Sequence, residues 1–433
     1  MRNRSVVLFV LCCLALSGVH AQDTPAAESG KLPDTALTVF TLRIDSEKDW
    51  AKISGLKQLT QLTIDCKNIS SLSSELKKRD KLVFLWLINT QKLDVVQAFN
   101  ILSGCPALDH LTIENIVWPK NAAAVPFPRG LKKMEFWNGN IPVFPPAVCG
   151  LPELKSLRIR NCKLKSVPAE IARLEKLQEL DLSFNPVEVL PAGVWHLTQL
   201  RSFATSTPLP PEAGMLIHLE ELSLYGERIR ALPAETVHLA SLERLYISCS
   251  EMDTFPAEIL SLKKLVALSV SVKKVTSIPA GLAQLPGLRY LTLDLGFVRL
   301  EQPLVLKGLD QLLELTLNGI ALDSVFSGLS SLTQLRAVDL SFCSLSEFPE
   351  ELSQLTHLQK LNLSGNHLMA VAETIEKLTE LEELTLSGNK SLEALPVSVC
   401  KLSRLEKLDL RNTAVVLPSC LDQLQKGKLR ITR

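Results

Sequence analysis

The chain has 433 residues, with 47 basic and 46 acidic side chains and a formal net charge of +1. So even a balance excludes the strongly basic surface that a nucleic acid or an anionic lipid sheet requires. A chain of this length ordinarily implies two or three globular domains, an inference that holds only where each core grows in three dimensions.

In chain order, the first segment, MRNRSVVLFVLCCLALSGVHAQ, has the three parts of a secretory signal. Arg2 and Arg4 give the positive start, and Val6 to Leu16 form an apolar run too short to span a bilayer. Val19-His20-Ala21 then places small residues where a signal peptidase reads. Cleavage after Ala21 would leave 45 basic against 46 acidic side chains. Leu11 precedes Cys12 and Cys12 precedes Cys13, which argues against a lipidated cysteine. With no other segment long and apolar enough for a membrane helix, the expected mature chain is exported, whether periplasmic, cell-surface or secreted. Residues 22–36, QDTPAAESGKLPDTA, read as a flexible leader.

From Leu37 onward the leucines fit neither the period of two of a strand nor the 3.6 of a helix. They fit a unit, LxxLxLxxN, written as LQELDLSFN at 177, LQKLNLSGN at 358 and LEELTLSGN at 381. Copies begin at 37, 59, 82, 108, 131, 154, 177, 200, 219, 242, 265, 288, 312, 335, 358, 381 and 405, mostly 23 residues apart. In each, the fourth and sixth residues point inward from a short strand, and the third, fifth and seventh point outward. The second half commonly reads xLxxLPxxIxxL, as in VEVLPAGVWHL at 187–197. Pro191 presets φ for a short helical turn whose Val194 and Leu197 face the interior.

This unit resembles the leucine-rich repeat, in the 23-residue class found in exported bacterial proteins and in Ras-linked scaffolds of plants and animals. The resemblance covers nearly all of the chain after residue 36. It implies an α/β solenoid: a curved horseshoe with parallel concave strands and short helical or irregular convex turns, here about 17 repeats over residues 37–433 with a terminal cap. It also implies binding as the class of activity, without saying of what.

The ninth residue of the unit is expected to form a buried amide ladder. Asn185, Asn366 and Asn389 hold it, Cys162, Cys343, Thr90 and Thr413 replace it, and Lys67, Glu227 and Lys273 cannot serve, so those turns are expected to shift register or open to water. Departures from the period are expected on the convex side. The step after 200 is only 19 residues, and TSTPLPPEAGM there reads as a Pro-rich loop replacing the helical turn. The step after 82 is 26, and the convex halves NIVWPKNAAAVPFPRG and GFVRLEQPLVLKG are irregular. The C-terminal LDQLQKGKLRITR is expected to lay a last strand over the column.

Eight cysteines follow the signal, with no CxxC pair, so zinc and any other metal or cofactor are not expected. Most read as packing residues; Cys400 and Cys420, in similar parts of adjacent turns, are the one pair expected to bridge. Cys420-Leu421-Asp422 matches the Cys-x-Asp motif of bacterial ubiquitin-ligase effectors that carry these repeats, but the surrounding ligase domain is missing. No other nucleophile, base or paired-carboxylate grouping stands out, so the chain is not expected to be an enzyme. The sequons at Asn68, Asn362 and Asn389 matter only in a source that glycosylates.

The candidate ligand-binding residues are the large side chains at outward positions: Phe84, Trp86, Trp137, Arg158 and Arg160 as one group, and Tyr225, Tyr246 and Tyr290 as a second contact. Trp, Tyr and Arg dominate binding hot spots, although aromatics also shelter on sheet surfaces. The expected function is recognition of a protein partner on the concave sheet. The alternative is a glycan or cell-envelope polysaccharide, since the same rings stack on sugars.

Overall fold

A computed structural model describes residues 39–43, 47–119, 125–322, 328–421 and 429–433. The signal, the leader and Asp422 lie outside them. A strand begins at the third residue of each of the seventeen copies. These are β1 (Val39–Arg43), β2 (Gln61–Asp65), β3 (Phe84–Ile88), β4 (His110–Glu114), β5 (Lys133–Trp137) and β6 (Ser156–Arg160). There follow β7 (Glu179–Asp181), β8 (Ser202–Thr205), β9 (Glu221–Tyr225), β10 (Arg244–Ser248), β11 (Ala267–Ser271) and β12 (Tyr290–Arg299). The rest are β13 (Glu314–Ala321), β14 (Ala337–Asp339), β15 (Lys360–Asn362), β16 (Glu383–Thr385) and β17 (Lys407–Asp409). The expected last strand, β18 (Arg430–Thr432), covers β17. Each strand pairs in parallel with the next, third residue opposite third residue, in one open sheet of a curved solenoid.

One copy cannot cover its own apolar side chains. Leu180, Leu182, Val194 and Leu197 are buried only because the neighbouring copies close over them. At about 1.5–3 kcal/mol for each fully buried aliphatic side chain, stacking is what makes the coil stable. On the convex side most turns are 3-10 helices of five residues entered through a proline, as in Ala192–His196 after Pro191 at φ −70°. The turn within the 19-residue step departs from expectation. A 3-10 helix, Pro211–Met215, is retained behind Pro210. The proline-rich text caps a helix, and the missing residues come out of the connections. The 26-residue step makes room for an α-helix, α1 (Ala51–Ser54) having introduced the solenoid and α2 (Val95–Leu102) filling this longer copy. In the irregular copies, Trp118 and Phe127 pack edge-on against Phe99, and β12 and β13 run on past the usual turn with a register shift between Asp294 and Val298.

The ladder forms as its chemistry requires. Asn366 Oδ1 accepts from the backbone N–H of Cys343 and Leu345 at 2.9 and 3.1 Å, and its Nδ2 donates to Leu340 and Leu363 carbonyls at 2.9 Å each. Cys343 Sγ donates to Leu317 O at 3.0 Å, reaching the same kind of carbonyl with fewer bonds. Lys67 and Lys273 are exposed, and the buried seat passes to the eighth residue, Cys66 or Val272, which is the expected register shift. Asn389 is buried in the ladder and Asn362 donates to Asp339, so neither sequon presents a free amide.

Cys400 and Cys420 are bridged, with Cα atoms 6.0 Å apart. Cys420 therefore carries no thiolate. The other cysteines among the described residues are free and buried; burial pushes the Cys66, Cys249 and Cys343 thiols up to about 12 and those of Cys105, Cys149 and Cys162 to about 11. They are packing groups, not nucleophiles.

Two measurements check this account. Denatured without reductant, a chain beginning at Gln22 should label at the six free thiols and at the other two only after reduction. Asn366→Ala, which orphans buried backbone groups, should lower stability by about 2–4 kcal/mol in urea unfolding, and Cys343→Ala by clearly less. Equal losses would mean that the amide ladder is not what anchors the turns.

Candidate functional site

The strand turns first decide which side chains reach the rim of the concave face. Leaving each strand, the chain commonly takes a left-handed conformation at the eighth residue of the unit. Asn89, Asn115, Asn138, Asn161 and Asn412 adopt it with φ between 53° and 61°, and Gly226, Gly319, Gly365 and Gly388 also have positive φ. Asparagine and glycine tolerate this region; a bulky side chain there is an outlier. Two copies place phenylalanine at this seat: Phe184 at φ 59° and Phe342 at φ 57°, each 46% exposed. Phe297, two residues further into its copy, repeats the pattern at φ 70° and 73% exposure.

On the sheet, Arg158 is consumed by the fold. It ion-pairs with Glu135 at 3.3 Å and donates from Nε to Glu179 at 2.6 Å. Lys133 reaches Glu135 at 3.0 Å, and Thr112 and Ser156 donate to Glu135 and Glu179 at 2.9 and 2.7 Å. Burial pulls the Arg158 guanidinium down, but Glu179 and Glu135 hold it above its ordinary value. Trp86 is partly committed too, donating from Nε1 to Glu114 at 3.2 Å, and Phe84 tilts against His110 with ring centres 5.7 Å apart. Burial, then the nearby Lys133, lowers the His110 pKa, which keeps the ring neutral at physiological pH.

Arg160 is different. Its guanidinium carbon lies 5.9 Å from the Trp137 ring centre and 4.9 Å from that of Phe184. Phe184 in turn stacks on Tyr225 at 5.0 Å with planes 28° apart. Trp137, Arg160, Phe184 and Tyr225 thus form one continuous run along the strand-exit rim, joining residues the sequence had placed in two groups. Trp137 Nε1 is enclosed without a hydrogen-bond partner among the described residues, so packing and Arg160 hold the ring. Tyr225 itself is buried, 8% exposed, so the run meets solvent through Phe184; Tyr246 is half-buried, while Tyr290 is 40% exposed, and neither joins the run. Phe184 escaped the sequence reading because only odd-numbered positions were taken as outward. The visible signal was a ring at a seat filled in nine other copies by asparagine or glycine.

A second concavity, about 610 Å³, lies near the C-terminal end. Phe342 walls it, Gly365 and Gly388 floor it, and Ser364, Ser387 and Arg411 help line it. Phe342 rests so closely over Gly365 that a Cβ there would come within 2.4 Å of the ring. Arg411 already holds Asp409. Among the described residues no group of three or more His, Cys, Asp or Glu side chains is placed to hold a metal ion, and no helix is long and apolar enough to cross a membrane.

Residues 146–226 and 211–327 match the family described as leucine-rich repeat region, and residues 356–415 match leucine rich repeat. Together they span more than half of the chain. The chain is a leucine-rich repeat protein. No curated protein matches its sequence. Among solved structures, a leucine-rich repeat protein of Leptospira interrogans is similar, with 23% identity and a TM-score of 0.64, over 90% of this chain and 99% of that one. A TDR receptor has 21% identity and a TM-score of 0.54, over 91% of this chain and 66% of the other. TLR13, in the TLR13–ssRNA13 complex, has 18% identity and a TM-score of 0.53, over 88% and 65%. This leucine-rich repeat protein therefore spans about two thirds of those two chains, and the likeness establishes its fold.

One titration probes the concave face. Burial raises the Glu114 carboxyl above its usual range, although the Trp86 bond opposes this. A carboxyl raised in the folded state favours folding below the unfolded pKa, and that contribution is lost as pH rises through the folded value. Glu114→Gln keeps an acceptor for Trp86 and removes the charge. It should raise the thermal midpoint at pH 7, with the difference closing below about pH 4. A lowered midpoint at pH 7 would contradict the placement.

Proposed function

We propose that this protein is an exported recognition protein whose concave sheet binds a protein partner. The observation that carries the reading is the Trp137–Arg160–Phe184–Tyr225 run. It gathers the residue types that dominate binding hot spots, and one member sits in a backbone conformation that a phenylalanine adopts at a cost. Phe84, Trp86, Arg158, Tyr246 and Tyr290 extend the contact area or support it. Export is supported by the signal-like N-terminus and by the bridge between Cys400 and Cys420, which belongs to oxidising compartments. The face between β3 and β7 sets Glu114, Glu135, Glu179 and Asp181 against Lys133, Arg158 and Arg160, a balance unsuited to a polyanion. Repeat scaffolds of this kind typically act by binding. The glycan alternative draws on the C-terminal groove, where an aromatic wall adjoins serine hydroxyls.

Benzoylphenylalanine at Phe184 tests the face directly, with the same label at Val189, which is 77% exposed on the way to the convex helix, as control. Illuminated in cell-envelope extract or host lysate, the label at 184 should capture a discrete protein and the label at 189 should not. With that protein in hand, Trp137→Ala should weaken binding about thirtyfold, or about 2 kcal/mol, with little change in thermal midpoint. Capture from 189 alone, or lost stability with unchanged binding, would sink the proposal. Binding on a glycan array that disappears in Phe342→Ala would favour the alternative.

A further inference from the structure

We infer that Arg160 is the receptor for a single acidic side chain of the partner, and that the exposed Phe184 ring, backed by the buried Tyr225, takes an apolar side chain close to it in sequence. This rests on the reading of the concave face as protein-binding and specifies the chemistry recognised there.

Other arginines on this face are spent on carboxylates of the fold. Arg158 holds Glu135 and Glu179, Arg244 holds Glu221 and Glu243, and Arg411 holds Asp409. Among the described residues no carboxylate pairs with Arg160 and no protein oxygen accepts a hydrogen bond from its side chain. Two rings lie against it instead. Rings answer the charge of a guanidinium but leave its in-plane N–H donors unused. Those donors match the two oxygens of a carboxylate, in a bidentate pair.

The surroundings limit the ligand to one negative charge. Arg158 and Lys133, the nearest other cations on β5 and β6, are already neutralised by Glu135 and Glu179. On the facing copy, β7 contributes Glu179 and Asp181, and Asp181 is held by the N–H and hydroxyl of Ser183. On these strands a doubly charged phosphate would meet Arg160 as the one unspent cation, among several carboxylates; a carboxylate meets its match.

Geometry supplies the second half of the motif. Phe184 lies 4.9 Å from the Arg160 guanidinium and 5.0 Å from the Tyr225 ring, which puts Arg160 within about 10 Å of Tyr225. That is the reach of about three residues of extended chain. A segment whose Asp or Glu stands on Arg160 would therefore lay a residue one to three positions away on the exposed Phe184 ring, which the buried Tyr225 supports from behind, and an aromatic or branched apolar side chain is favoured there.

The probe is a phage-displayed library of random dodecapeptides, selected on the full purified protein. Enriched peptides should carry Asp or Glu one to three positions from an aromatic or branched apolar residue. Synthesised, they should lose at least tenfold in affinity on Arg160→Gln in the protein and on Glu→Gln in the peptide. The two changes together should cost little more than either alone, because they remove the same contact. Binding should weaken with salt. Thermal midpoints of Arg160→Gln and wild type, measured alongside, should agree; a lowered midpoint with unchanged affinity would show Arg160 to be structural and overturn the inference. Enriched peptides without an acidic preference, or indifferent to Arg160→Gln, would overturn the carboxylate assignment while leaving concave binding intact. Affinity lost on C-terminal amidation but not on Glu→Gln would overturn the side-chain source. A selection that enriches nothing on wild type would count against both readings.

Discussion

Everything in this molecule depends on one constraint: a 23-residue coil has apolar side chains on its inner surface and no way to cover them alone. Stacking resolves it. Each strand supplies backbone hydrogen bonds to the next, each Leu at the fourth and sixth residue is sealed by the copies on either side, and the ladder amides tie the turns together. Because the contacts are between neighbours, the protein can lose a good ladder residue in one copy without losing the fold. That tolerance leaves the outward positions free to vary, and the free positions are where recognition can be built.

The fold was largely legible because the constraint writes itself into the sequence at fixed intervals. The leucines locate the start of each of the seventeen repeat strands, and the prolines locate most of the convex turns. Where the reading failed, a residue type was assigned its average meaning. Prolines 208, 210 and 211 suggested a loop, but Pro210 presents the extended backbone that starts a 3-10 helix in most other copies. The eighth residue was passed over as part of a turn, although its left-handed φ makes the side chain there informative.

The site was legible only in part, for a related reason. Arg158 and Arg160 are two residues apart on one strand and look alike in sequence. What separates them is the next rung on each side. The in-register pairing sets Arg158 between Glu135 and Asp181, with Glu179 one outward position away, and sets Arg160 beside Trp137. Once register is known, neighbours can be read across copies as easily as along them, and the two arginines part company: one closes an ion network on the sheet, the other lies against the Trp137 and Phe184 rings, which is what the proposed ligand contact builds on.

The central claim is that Phe184 is kept for its exposed ring and not for the fold. Thermal unfolding of Phe184→Asn beside wild type tests it most directly, because asparagine suits the left-handed seat and cannot stack on Tyr225 or Arg160. Relief of the backbone cost, about 1–2 kcal/mol for a residue forced into this region, should offset the lost ring contacts, so the midpoint should hold or rise. A midpoint several degrees lower would mean that the ring supports the solenoid itself, and the account of this face as a binding surface would be contradicted at its centre.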